Sequence, residues 1–79
     1  MKRSPHKYER KVLAKLLRQI RRKKNLTQTE LAKKLNKPQP FVSKYENCER
    51  LLDLIELIDI CENLDISIFN LIKKFQKKK

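Results

Sequence analysis

From residue 7 onward the apolar residues of this chain recur at helical intervals, and the rhythm resets at polar breaks. Between Lys7 and Lys24 the apolar positions are Tyr8, Val12, Leu13, Leu16, Leu17 and Ile20. Their spacing traces one stripe of a helix with lysines and arginines around it. Thr27 with Glu30 three positions on reads as a capping box, in which hydroxyl and carboxylate each satisfy an orphan backbone donor. A short helix follows through Leu35, with Leu31, Ala32 and Leu35 on one face. Pro38 disfavours the α region at Lys37, so Asn36-Lys37-Pro38 is a tight break.

The next helix is expected to begin at the prolines, where a missing N–H costs least, and to run from Phe41 to about Asn47 over Phe41, Val42 and Tyr45. By the same steric rule that applies at Lys37, Pro40 biases Gln39 away from helical geometry. Asp53 with Glu56 forms a second capping box, opening a helix through Asn63 whose buried face should carry Leu54, Leu57, Ile58, Cys61 and Leu64. Ser67 is placed to cap a last helix containing Ile68, Phe69, Leu71, Ile72 and Phe75. Five helices on short connections make an all-α, compact bundle. Residues 7–75 form the single domain of this reading, between a flexible basic tail at 1–6 and a basic tail at 76–79.

The chain contains no glycine, although helices often end on a left-handed residue. Asn and Asp tolerate that conformation best after glycine. Asn25, Asn36, Asn47 and Asp65 fall at the expected helix ends and are assigned this task.

Composition narrows the function. At 79 residues the chain holds one small domain, and a chain this size buries only about 60% of the surface its unfolded form exposes. No stretch approaches the roughly 20 apolar residues that span a membrane. The basic start MKRSPHKYERK leads into no apolar segment, so it is not a secretory signal, and a cytoplasmic protein with reduced Cys48 and Cys61 is expected. Neither thiol nor His6 has partners at metal-ligand spacing, so no metal or cofactor is expected.

The net charge of +12 is unevenly laid out. Residues 1–44 carry fifteen Lys and Arg against Glu9 and Glu30, giving +13. Residues 45–72 carry Arg50 against seven acids, giving −6, and the closing KKFQKKK adds +5. One basic and one acidic side is the footprint of a polyanion binder. The first helix alone does not separate a nucleic-acid partner from a membrane surface, because a basic amphipathic helix suits both.

Residues 28–47 read as helix, turn, helix. Apolar residues stand at Leu31, Leu35, Val42 and Tyr45, small Ala32 allows close approach of the two helices, and Asn36 marks the turn. With LTQTELAKKL, FVSKYE and the capped helix beginning at Leu54 in register, the chain from about Leu16 to Ile72 resembles the XRE family, the phage-repressor and Cro type of helix-turn-helix. The resemblance implies a lambda-repressor-like five-helix fold whose third helix enters the major groove of double-stranded DNA. The family usually has glycine where Asn25, Asn36, Cys48 and Asp65 stand, and Cys48 is the poorest substitute, so Asn47 is expected to serve at that end.

The resemblance also implies roles. Gln39, at the tip of the third helix, should reach a base edge, and glutamine can bond adenine N6 and N7 together. Pro40 occupies a base-contacting place, with weaker or purely steric readout. Ser43 and Lys44 share the outward face with Gln39 by helical spacing. Gln28 begins the second helix and should meet a phosphate while buttressing Gln39; Lys37, Asn47 and Arg50 are further phosphate candidates. Arg21 and Glu46 match a family ion pair that orients the third helix. Packing of the fifth helix onto the first and fourth accounts for some of Phe69, Ile72 and Phe75; the rest suggest an apolar patch covered by a second subunit, with third helices about 34 Å apart in a two-fold dimer.

The function implied is a sequence-specific DNA-binding transcriptional regulator, most simply a repressor, working as a homodimer on an inverted repeat. The alternative is a basic RNA- or ribosome-associated protein with no use for Gln39. A membrane role would need the stripe of the first helix, which the bundle core already requires. No nucleophile–base pairing, phosphate loop or carboxylate pair supports an enzyme.

Overall fold

The computed structural model describes residues 6–79. The described residues form five helices: α1 (Lys7–Lys23), α2 (Gln28–Lys34), α3 (Pro40–Glu46), α4 (Leu54–Asn63) and α5 (Ile68–Lys78). The N-terminal tail expected at 1–6 lies, except for His6, outside the described residues. At the other end α5 runs to Lys78, so the basic residues expected as a tail continue its last turns, where cations favour the helix dipole.

Local chemistry sets the starts. Thr27 Oγ1 accepts from the Glu30 amide at 3.0 Å and Glu30 Oε1 accepts from the Thr27 amide at 2.8 Å. Asp53 and Glu56 repeat the exchange at 2.8 and 3.0 Å. Ser67 Oγ accepts from the amides of Phe69 and Asn70. At α3 the Phe41 amide donates to the Pro38 carbonyl at 3.0 Å, closing a turn with Gln39 at φ −54° and ψ −39°. Gln39 is therefore helical in spite of Pro40, a correction to the steric expectation: the turn bond across Pro38–Phe41 sets its geometry.

The ends share one design. Asn25, Asn36, Cys48 and Asp65 all have φ near +60°. In each case the left-handed residue donates its N–H to the carbonyl three positions back, and the next residue donates to the carbonyl five back. For Cys48 these bonds are to Tyr45 at 3.2 Å, and from Glu49 to Lys44 at 2.8 Å. This double closure satisfies carbonyls that a helix end leaves open. Three ends use the expected Asn or Asp, but the fourth uses Cys48, with Asn47 at φ −97°. The closing pair of bonds fixes which position must turn left-handed, and that is the position after Asn47.

The core gathers Leu17, Leu31, Val42, Ile60, Leu64 and Leu71, all essentially inaccessible to solvent. α1 packs on α3 and α5, α2 on α3, and α4 on α5. On α4 the buried face is Ile60, Cys61 and Leu64, flanked by Leu57. Leu54, expected inside, is 63% exposed: it sits in the first turn, beyond the surface the rest of the chain covers. Tyr8, on the expected stripe of α1, is likewise exposed near the start of its helix.

Candidate nucleic-acid interface

The third helix is short, and its two faces differ sharply. Phe41, Val42, Tyr45 and Glu46 are buried, whereas Gln39, Pro40, Lys44 and Asn47 are exposed and Ser43 is half-buried. Residues three and four apart lie side by side on a helix, so Gln39, Pro40, Ser43, Lys44 and Asn47 form one outward surface. Ser43 Oγ donates to the Pro40 carbonyl at 3.3 Å, so its hydrogen is used within the helix.

A buried charge cluster ties this helix down. Arg21 of α1 holds Glu46 in a two-pronged contact, Nε to Oε2 at 2.8 Å and Nη2 to Oε1 at 3.0 Å. Its third nitrogen donates to the Leu26 carbonyl at 2.8 Å. Gln28 Nε2 donates to Glu46 Oε1 at 3.0 Å, and Arg18 Nε lies 3.8 Å from the same oxygen. One carboxylate thus joins α1, the first residue of α2 and the last of α3. The hydrogen bonds to Glu46 push the Arg21 pKa up, so its charge is permanent. Gln28 thus uses its amide N–H on Glu46, a partner the sequence did not name.

A second cluster lies past the helix. Arg50 holds Glu56 with Nη1 to Oε1 at 3.0 Å and Nη2 to Oε2 at 2.8 Å, and Nη1 also donates to the Leu51 carbonyl. Its guanidinium carbon lies 4.8 Å from the Phe41 ring centre, and Lys37 Nζ lies 5.3 Å from the same centre. Two of the candidate phosphate-binding cations are thus brought together by one aromatic ring, which attracts both. The Arg50 contact and the Asp53 amide hold the Glu56 carboxyl down to about 2.

Reasoning from sequence missed the Gln28 and Arg18 contacts with Glu46 and the Arg50 contact with Glu56. Each contact crosses a loop or links separate helices, and no periodicity reports such pairs. Of the three apolar side chains of α5, Phe75 lies half-buried against the core, while Phe69 and Ile72 remain open. Leu54 and Ile55 of α4 add to that exposed apolar surface. Among the described residues no helix is long and apolar enough to cross a membrane. No group of three His, Cys, Asp or Glu is arranged among them to hold a metal ion.

Comparison with known proteins places this geometry. A helix-turn-helix family model matches residues 17–71. An XRE-family like protein from Pseudomonas syringae pv. tomato superposes with a TM-score of 0.85 at 40% identity, over 91% of this chain and 88% of that one. The restriction-modification controller protein C.Esp1396I matches at 26% identity and a TM-score of 0.83, over 89% and 92% of the two chains. The clp gene regulator ClgR from C. glutamicum, at 23% identity and a TM-score of 0.81, shares the fold over 95% and 96%. No curated protein matches the chain. With a helix-turn-helix whose outward face is polar and whose inward face is anchored through Glu46, the chain belongs to the XRE-type helix-turn-helix family of DNA-binding transcriptional regulators.

Proposed function

We propose that this protein is a sequence-specific repressor that reads the DNA major groove with residues 39–47. The observation that carries the reading is the outward surface of Gln39, Pro40, Ser43, Lys44 and Asn47, held by a helix whose opposite side is locked through Arg21 and Glu46. Gln39 supplies an amide suited to adenine; Ser43 and Lys44 reach neighbouring bases, and Pro40 shapes the contact by bulk alone. Lys37 and Asn47 hold phosphates on either side, and Gln28 offers its remaining amide oxygen and backbone N–H there. Arg50 approaches phosphate only by sharing its guanidinium with Glu56.

The working unit in this proposal is a homodimer. Phe69 and Ile72 of α5, with Leu54 and Ile55 of α4, are large apolar side chains left open to water, between 45% and 78% exposed. Apolar surface of this kind marks interaction sites. A two-fold dimer through this face presents two copies of α3 to successive major grooves of an inverted repeat.

Selection of duplexes from a random pool at two salt concentrations tests both parts. The expected product is a short inverted repeat, retained at the higher salt. Sequence-blind binding that disappears with salt would leave only counterion release and would favour the RNA-associated alternative. Sedimentation of the free protein and the complex should show two chains per operator. One chain per site would remove the dimer and leave the base-reading face intact.

A further inference from the structure

Between α1 and the connection from α3 to α4 the protein holds a cavity of about 860 Å³. Sites for small organic molecules fall in the range of roughly 300–1,000 Å³. Its floor is apolar, built from Leu13 and Leu17 of α1 and Leu52 of the connection, with Leu51 at the mouth and 61% exposed. Tyr45 and Cys48, from the last turn of α3 and its left-handed end, close one wall.

The rim is basic: Arg50 lines it while held by Glu56, and three cations of α1 complete it. Lys7, Arg10 and Lys11 stand at spacings of three and four on α1, so they share one edge of the helix, and all three line the cavity. No acidic residue lines it among the described residues. These cations occupy the first five residues of α1, the end of a helix where the dipole is already positive and added positive charge is unfavourable. Glu9, in the same first turn, offsets part of this charge, and an anion on the edge of Lys7 and Lys11 would offset more. The apolar floor behind the rim asks for more than an inorganic ion.

We propose that this cavity binds an amphiphilic organic anion, a carboxylate head against Lys7, Arg10 and Lys11 with an apolar chain on Leu13, Leu17 and Leu52. Charge complementarity selects this occupant. The chain's own first residues carry Lys2 and Arg3, the wrong sign for the rim. A nucleic-acid backbone matches the rim but has no apolar chain for the floor.

Titration calorimetry and amide NMR of the full chain with sodium decanoate test the site, with decanol and inorganic phosphate as comparison ligands. Decanoate should saturate one site per chain, bind at least about tenfold more tightly than decanol, and shift the amides of Leu13, Ala14 and Cys48. Lys11→Glu and Leu51→Glu each alter an exposed side chain. Both should weaken decanoate by about tenfold or more with the melting curve retained. Equal affinity for decanol would overturn the proposal, because the rim would then play no part. Shifts confined to Leu54, Ile55 and Phe69 would also overturn it, by assigning decanoate to the open apolar face. Shifts of the rim amides with phosphate and none with decanoate would overturn it in favour of a phosphate seat.

Discussion

Two arginine–carboxylate pairs in this molecule have the same bond lengths and opposite surroundings. Arg21 and Glu46 meet through bonds of 2.8 and 3.0 Å, and so do Arg50 and Glu56. The side chains of the first pair are 7% and 0% exposed; those of the second are 40% and 19% exposed. Distance therefore says little about what each pair does. In the first, two charges have left water and depend on one another, on Gln28 and on the Leu26 carbonyl. Removing either partner strands a buried charge. In the second, water and salt stand ready to replace each partner, and the net gain is small.

The largest expected effect follows from the first pair. Glu46→Ala should cost about 3–5 kcal/mol, a large share of the stability of a domain this size. Thermal denaturation should show a drop of roughly 15 °C or more. An unchanged curve would erase the distinction between the two pairs. Replacing both members, Arg21→Met with Glu46→Leu, should return most of that stability, since a well-packed apolar pair is often neutral or better. DNA affinity should stay low in the double variant, because Gln28 loses its acceptor and α3 its polar anchor. Recovery of full affinity would show that the pair contributes stability alone.

The exposed pair should respond weakly, and to conditions. Glu56→Gln keeps a side chain able to complete the capping box with Asp53, so it isolates the ion pair. Its melting temperature should fall by a few degrees at most at low salt, and the difference should shrink in ~1 M salt, where screening acts within a few Å. Acid gives a finer test. The Glu56 carboxyl is lowered to about 2 from an ordinary 4.5. The unfolded chain thus takes up this proton first, and the contribution is fully present above pH 4.5 and lost as pH falls towards 2. Denaturant titrations across that window should show a loss in the parent that Glu56→Gln lacks; parallel curves would contradict the assignment. Smallest of all should be Tyr45→Phe. The Tyr45 hydroxyl is buried with no hydrogen-bond partner among the described residues, so deleting it should leave stability equal or slightly higher.

The two pairs also mark how far the sequence can be read. Arg21 and Glu46 were legible only through resemblance to a family, since 25 residues separate them. Arg50 and Glu56 were not legible as a pair, although Glu56 stood out as a cap. Helices, capping boxes and three of the four left-handed ends rest on local chemistry within a few residues, and local pattern reports them well. The interior position of Ile60, the exposure of Leu54 and the hydrogen bond from Gln28 to Glu46 depend on where other helices lie. A single-helix pattern carries no record of that. Gln39 shows the converse case, in which a local steric rule yields to a turn bond between Pro38 and Phe41.

The glycine-free helix ends have a consequence for the unfolded chain. Every glycine absent from those four turns is a residue with fewer conformations to give up on folding. Against this, a side-chain-bearing residue in the left-handed region costs roughly 1–2 kcal/mol, and less for Asn and Asp. At Asn25, Asn36 and Asp65 the two effects come close to cancelling. At Cys48 the native cost should win, because the gain from a stiffer unfolded chain is only about 0.4–1 kcal/mol. Cys48→Gly should therefore stabilise the fold by up to about 1 kcal/mol, while Asn36→Gly should change little. The molecule thus keeps its turns with a denatured state poorer in conformations than that of a glycine-capped chain.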